Sequence, residues 1–271
     1  MTPTRPLLRY HGGKWILAPW VISHFPQHDI YVEPYAGAAS VLLRKPRSKA
    51  EILNDLDDDV CNLFHVLRDS GSELARALEL TPFSRSEYRN AMKPTKDPLE
   101  RARRLVVRSY MGFGSGSSQI ARCSGFRSRS ERSGTMPADD WANYPACLSE
   151  TIFRLRGVVI ENRPALQVIS QYDRPGTLFY CDPPYVLSTR MPNSNMRHCY
   201  SHEMTDEDHS ALAAALHEIK GMAILSGYDC PIYKKLYRGW RTSKRKAMAD
   251  GARERTETPW LSPSVPKGLF S

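Results

Sequence analysis

The chain has 271 residues, 41% of them hydrophobic, which is long enough to bury a full core as one large α/β domain or as one domain carrying an insertion. A formal net charge of +9 points to a polyanionic partner, most simply nucleic acid. The six cysteines (Cys61, Cys123, Cys147, Cys181, Cys199 and Cys230) form no C-x-x-C or Cys/His zinc pattern, the N-terminus carries no long apolar run, and nowhere do about 18 apolar residues follow one another, so disulfides, export and membrane spanning are not expected.

Leu7 to Leu17 reads L-L-R-Y-H-G-G-K-W-I-L, an apolar segment broken by Gly12 and Gly13 before an apolar helical start. Paired glycines let the backbone approach a ligand closely, and Lys14 beside a helix N-terminus would attract a carboxylate. Asp29 to Pro34 (D-I-Y-V-E-P) predicts the first core strand, and Y-A-G-A-A-S-V-L-L after it predicts a tight turn at Gly37 feeding an apolar helix. One glycine where a dinucleotide fingerprint needs three disfavours a nicotinamide oxidoreductase. Glu51 to Asp55 (E-I-L-N-D) predicts the second strand, with Asp55 roughly twenty residues past the glycine turn, where nucleotide-binding α/β folds place an acid on ribose hydroxyls. Asp57, Asp58 and Asp59 then open a helix whose apolar positions are Cys61, Leu63, Phe64 and Leu67.

From about Thr81 to Glu150 the character changes. Pro82, Pro94 and Pro98 punctuate short helical segments, and Arg101, Arg103, Arg104, Arg108, Arg122, Arg127, Arg129 and Arg132 gather against the single acid Glu131. Phe113 and Phe126 lie among glycines and serines, a composition that predicts a loop tracking phosphates and ordering on nucleic acid. The α/β rhythm returns with a predicted strand at Val158 to Asn162 and a helix through Leu166 and Ile169. It leads to Thr177–Val186, T-L-F-Y-C-D-P-P-Y-V, where an apolar strand meets two prolines that can neither continue a helix nor donate to a sheet. Asp182 and the Pro183 carbonyl are acceptors without donors, suited to a planar amine, and Tyr185 offers a flat face to a flat ligand.

Beyond that turn, L-S-T-R-M-P-N-S-N-M-R-H-C-Y lacks a period and predicts a loop with Arg190 and Arg197 available to DNA. Thr205 reads as an N-cap before Asp206, Glu207 and Asp208, with Leu212, Leu216 and Ile219 at helical spacing. Met222 to Tyr228 predicts a buried strand, and Lys244, Arg245, Lys246, Arg253 and Arg255, between Trp240 and Trp260, predict a final hairpin with a long basic loop. His198, His202, His209 and His217 share no ligand spacing with an acid or cysteine, so no metal is expected.

The D-P-P-Y tetrapeptide resembles the hallmark of the amino-directed DNA methyltransferases. The N-terminal Tyr10, Gly12, Gly13 and Lys14 are similar to the W-x-G-G-K segment of the Dam-like adenine methyltransferases, with tyrosine for tryptophan. Gly37 matches the first glycine of their F-x-G-x-G loop, whereas Ala39 stands where the second belongs. The order of donor loop, recognition segment and D-P-P-Y agrees as well. The resemblance implies a Rossmann-like class I methyltransferase α/β sheet with a mainly helical and loop target-recognition insertion. Residues 1–80 would form the donor-binding half of the core, 81–150 the insertion and 151–271 the D-P-P-Y half. It implies methyl transfer from S-adenosylmethionine to the exocyclic N6 amine of a flipped adenine in double-stranded DNA, in the cytoplasm of a prokaryotic or phage-infected cell, with no metal, membrane or obligate protein partner. The implied catalytic residues are Asp182, Pro183, Pro184 and Tyr185. Donor binding would fall to Tyr10, Gly12, Gly13, Lys14, Glu33, Pro34, Gly37, Asp55 and Asp182, and DNA binding to Arg122, Arg127, Arg129, Arg132, Arg190 and Arg197. RNA and protein-glutamine methyltransferases more often carry N-P-P-Y, and a DNA-binding protein with a decayed core is the alternative outside catalysis. The short insertion rich in glycine, serine and arginine is compatible with relaxed sequence specificity.

Overall fold

The computed structural model describes residues 2–114, 125–128, 136–190, 200–249 and 253–267. Its α-helices are α1 (Ala18–Ile22), α2 (Ser40–Arg44), α3 (Asp58–Asp69), α4 (Gly71–Glu79), α5 (Arg85–Asn90), α6 (Pro98–Met111), α7 (Pro137–Ala142), α8 (Leu148–Leu155), α9 (Ala165–Tyr172), α10 (Asp206–His217) and α11 (Pro231–Leu236). Its strands are β1 (Ile30–Glu33), β2 (Ala50–Asn54), β3 (Val158–Glu161), β4 (Thr177–Cys181), β5 (Met222–Gly227), β6 (Arg241–Thr242), β7 (Arg245–Ala249) and β8 (Arg253–Leu261). The chain forms two compact units, one of Met1–Trp15, Gly37–Arg44 and Asp57–Arg156, the other of Ile16–Ala36, Lys45–Leu56 and Gly157–Ser271.

The second unit holds the sheet, in the order β3-β2-β1-β4-β5-β8-β6 with β7 paired to β8. From β3 across to β5 the neighbours are parallel, and β8 runs antiparallel to β5, β6 and β7. Parallel strands are covered on both faces, and β4 shows why T-L-F-Y-C carries no polar alternation: all five residues are buried. It is bonded to β1 on one edge, with Val32 opposite Phe179, and to β5 on the other, with Tyr180 opposite Ile224. Val32, Ile52, Phe179 and Leu225 from the sheet share a core with Leu212 and Leu216 of α10 and with Tyr233, Tyr237 and Trp260. From β1 the chain steps outward to β2 and β3, then returns to the other side of β1 with β4 and continues to β5. The strand order therefore reverses between β1 and β4, and ligands of open α/β sheets bind outside the carboxyl ends at such a point.

Several predicted elements are present within a residue or two: the strands at 29–34, 51–55, 158–162 and 222–228, and the helix capped at Thr205. There the Thr205 hydroxyl accepts from the Asp208 amide and the Asp208 carboxylate accepts from the Thr205 amide, a reciprocal box. The C-terminal hairpin differs from expectation. Arg245, Lys246, Arg253 and Arg255 do not fill a long loop, because β7 and β8 pair over Arg245–Ala249 and Arg253–Leu261, and Lys244 stands just before β7. The strand β8 is templated by β5, where Ile224 faces Leu261, and charge along the sequence carries no signal of that pairing.

The first unit is helical, and it corrects the reading of its arginines. Four of them sit on α6 rather than in a phosphate-tracking loop, each bonded to a carboxylate. Arg101 reaches Asp59 at 2.9 Å and Asp58 at 2.8 Å, and Arg108 reaches Asp59 at 3.0 Å. Arg103 bonds Glu87 and Glu100, and Arg104 bonds Glu100. Counting acids only inside the arginine-rich stretch missed those that α3, α5 and the first turn of α6 supply.

In the second unit the Lys45 ammonium and Glu51 carboxylate meet at 2.8 Å with side chains 2% exposed, and the ammonium also lies 4.4 Å from the Tyr31 ring centroid. Lys45 further donates to the Pro46 carbonyl and the Ser48 hydroxyl, so all three of its hydrogens have acceptors. Breaking a buried pair by removing one partner leaves an uncompensated charge, at a cost of about 3–5 kcal/mol. Lys45→Met is expected to lower stability by that amount in urea denaturation, and adding Glu51→Gln to recover part of the loss.

Candidate active site

In the first unit two segments distant in sequence come together. The Gly13 amide donates to the Tyr10 carbonyl at 3.1 Å, and the buried Lys14 ammonium donates to the Gly12 carbonyl at 2.8 Å, folding the N-terminal turn back on itself. The Tyr10 ring lies on Gly37: a Cβ there would stand 3.1 Å from Tyr10 Cε1 and 3.3 Å from Cδ1. Gly37 also has φ of +48°, a region that side chains disfavour. Ala39, fully buried, holds φ of +51°, the one positive value at a non-glycine residue among those described. The loop thus requires a left-handed residue at the second glycine position of the motif, and this chain meets the requirement with alanine at a strain of about 1–2 kcal/mol.

In the second unit the carboxyl ends of β1, β2 and β4 carry the remaining candidates. Glu33 is 2% exposed and accepts from the Tyr31 phenol at 2.6 Å, which fixes its carboxylate at the end of β1. Asn54, the last residue of β2, ties together the loops that follow β1 and β3. Its amide nitrogen donates to the carbonyls of Pro34 and Arg163 at 2.9 Å each, its side-chain oxygen accepts from the Arg163 amide, and its backbone carbonyl accepts from the Ala36 amide. Asp55 follows, half-buried, with its own carbonyl accepting from the Asn162 side chain at 2.8 Å.

At the switch point, β4 ends at Cys181 and Asp182 is the first residue beyond it, half-buried. Pro183 is buried and Pro184 half-buried. Tyr185 is only 9% exposed. Its phenol donates to Glu257 Oε2 at 2.7 Å, and its ring meets Tyr228 edge-on, with centroids 4.6 Å apart. Burial pushes this phenol well above its ordinary pKa and the Glu257 charge adds to the shift, so it remains a proton donor at neutral pH.

Two of the arginines expected on DNA are described, and each has internal partners. Arg190 forks onto Glu203 at 2.7 and 2.9 Å and donates to the Tyr185 carbonyl, bracing the turn. Arg127 lies 3.6 Å from Asp140, and its amide donates to the Met111 carbonyl. Arg122, Arg129, Arg132 and Arg197 lie outside the described residues. Among the described residues no three His, Cys, Asp or Glu side chains gather as a metal would require.

Residues 10–250 match the family model of the D12 class N6 adenine-specific DNA methyltransferases. The chain belongs to that family. The D12 class assignment makes it a DNA adenine N6-methyltransferase, with S-adenosylmethionine as the methyl donor implied by the family. Similar relatives are the DNA adenine methylases of Escherichia coli and Salmonella typhi, 24% and 23% identical over 88% of this chain and 85% of theirs. That of Vibrio cholerae is 24% identical over 91% of this chain and 90% of its own.

Within each unit taken by itself, the residues expected to bind S-adenosylmethionine have chemistry that suits it. Gly37 leaves open the space its Cβ would fill beside Tyr10, while Glu33 and Asp55 are acceptors suited to an amine and to ribose hydroxyls. Sequence reasoning missed Tyr31, Asn54, Glu203 and Glu257. Of these only Asn54, next to Asp55 at a strand end, carried a local signal. Gly37→Ala is expected to weaken donor binding by tenfold or more in calorimetry, through strain and the Tyr10 contact together. Ala39→Gly, which relieves strain while adding unfolded-state freedom, is expected to leave stability within about 1 kcal/mol of the parent.

Proposed function

We propose that Asp182, Pro183, Pro184 and Tyr185 are the catalytic turn, acting on an adenine flipped out of double-stranded DNA. The observation that carries this reading is the position of the turn, directly after the fully buried central strand and at the reversal of strand order. An exocyclic amine is a poor nucleophile because its lone pair is delocalised into the ring. The Asp182 carboxylate and the Pro183 carbonyl accept its two hydrogens, draw them out of the ring plane and localise the lone pair, an arrangement complementary to the transition state. S-adenosylmethionine supplies a methyl group already activated by its sulfonium. What remains for the chain is alignment, exclusion of water and an aromatic wall, Tyr185, for the flipped base.

Donor binding in this reading falls to Tyr10, Gly12, Gly13, Lys14, Glu33, Pro34, Gly37, Asp55 and Asp182. Recognition of the target falls to residues 81–150, with phosphate contacts from Arg122, Arg127, Arg129 and Arg132 and, next to the turn, Arg190 and Arg197. Base flipping requires unstacking of a few kcal/mol, and contacts of this kind offset it.

The test is transfer of labelled methyl from S-adenosylmethionine to unmodified duplex DNA, followed by nucleoside analysis and mapping of the modified positions. N6-methyladenine is the expected product, and the map separates one short target from relaxed specificity. Label found in RNA or protein instead would overturn the duplex substrate. Asp182→Ala is expected to reduce single-turnover transfer by about 10²–10³-fold with the melting temperature unchanged, the scale of removing one transition-state hydrogen-bond group. Near-normal turnover in that variant refutes the catalytic assignment. Arg127→Ala is expected to weaken duplex binding and to lower the slope of log K against log salt by about one. An unchanged slope removes it from the phosphate contacts.

A further inference from the structure

The four residues of the turn do not hold their own tyrosine in place. Tyr185 is gripped from elsewhere in the second unit at both ends. At its backbone, the carbonyl accepts from Arg190, which is itself anchored on Glu203. At its side chain, the phenol donates at 2.7 Å to Glu257, a residue of β8. The ring is closed on a further side by Tyr228, just past β5, at 78° and 4.6 Å. The Arg255 guanidinium, two residues before Glu257 on β8, lies 5.3 Å from the Tyr228 ring centroid.

A buried phenol needs an acceptor, and a backbone carbonyl would satisfy it, as Pro6 does for Tyr110 and Leu7 for Tyr144. The acceptor at Tyr185 is instead a carboxylate, which costs more to desolvate and returns a shorter, stronger and more directional bond. That bond fixes the in-plane direction of the ring, while the edge contact with Tyr228 fixes its tilt. Glu257 also lies beyond residue 250, where the family match ends. Its place is set by the sheet: β8 pairs with β5 from Gly227 opposite Thr258, which puts Glu257 one residue beyond that pair, beside Tyr228.

We propose that Glu257 is a positioning residue of the methyl-transfer site, acting through the Tyr185 phenol to hold the aromatic wall against which the target adenine is placed. This rests on the reading of Asp182 to Tyr185 as the catalytic turn. The last strand of the sheet, through Glu257 and the Arg255–Tyr228 pair, is then part of the active-site support.

The test is a double-mutant cycle on the full chain, with single-turnover methyl transfer to duplex DNA, donor Kd and melting temperature measured for each protein. Glu257→Ala is expected to slow transfer about tenfold, the loss of one charge-assisted hydrogen bond, with donor Kd within about twofold. Glu257→Gln, whose amide oxygen still accepts from the phenol, is expected to recover most of the rate. Tyr185→Phe, which keeps the ring and loses the donor, is expected to match Glu257→Ala, and the double variant to be no slower than either single. Tyr185→Phe at the parent rate would overturn the proposal even if Glu257→Ala did not fold, and so would equal, multiplying losses in the double variant.

A substrate-free readout separates this from the reading of the turn. In protein carrying 13C at the tyrosine Cζ, the Tyr185 Cζ resonance should move clearly in Glu257→Ala, where the phenol loses its acceptor, and much less in Glu257→Gln. A parent protein that methylates no adenine while this resonance responds in this way overturns the catalytic turn, and with it the catalytic purpose of the restraint. A parent that methylates adenine while Glu257→Ala leaves both rate and resonance unchanged overturns the restraint alone.

Discussion

Proline has no amide hydrogen to give to a ladder, and β4 needs donors on both edges, because it is bonded to β1 on one side and to β5 on the other. Pro183 and Pro184 therefore end the ladder where they occur, and Asp182 becomes the first residue outside it. Because all five residues of β4 are buried, the strand cannot slide without moving its whole apolar set, so the position of Asp182 is as rigid as the core itself. The rest of the site is arranged around that fixed end. β1, the parallel neighbour, delivers Glu33 and Pro34 to the same edge of the sheet, and β2 delivers Asn54 and Asp55 one strand further out.

The polar groups at that edge are held by partners rather than left to solvent. Tyr31 holds Glu33, Asn54 joins the loops that follow β1 and β3, and Arg190 and Glu257 hold the two ends of Tyr185. Each such bond adds little net stability, on the order of 1 kcal/mol, but leaving one unmade inside the protein costs more. The network therefore acts chiefly on geometry. Transfer to a weak amine nucleophile depends on alignment of donor and acceptor within fractions of an ångström, and rigid elements with satisfied polar groups supply it.

Charge in this protein does two kinds of work. On α6 the guanidinium groups are used internally: Arg101, Arg103 and Arg108 stitch that helix to α3 and α5 through carboxylates, and Arg104 bonds Glu100 within the helix. Their contribution to the net charge of +9 is real, but they are not aimed outward. Other basic residues are exposed, among them Lys244, Arg245 and Lys246 at the C-terminal hairpin. Even there partners intervene, since Lys244 bonds Asp229 at 2.7 Å and Arg245 lies over the Trp20 ring. A formal charge count gives the sign of the long-range field without saying which side chain meets a phosphate.

Motifs and strands were legible in the sequence because their causes are local. Proline pairs end strands, apolar runs bounded by turn residues form buried strands, Thr205 caps a helix through atoms three residues away, and D-P-P-Y with G-G-K identifies the family. The demand for a left-handed residue at position 39 was visible only as an irregularity, an alanine where a glycine was expected, and the φ of Ala39 supplies its physical meaning. The partners were not legible. Glu257 meets Tyr185 because β8 pairs with β5, Asn54 reaches Arg163 because β2 lies beside β3, and the α6 arginines find acids on helices far back in the chain. The sequence by itself thus determined the chemistry available and the family. Only the tertiary structure decided which groups hold that chemistry in place, because hydrogen bonds and ion pairs depend on distances of a few ångströms that only folding creates between residues remote in sequence.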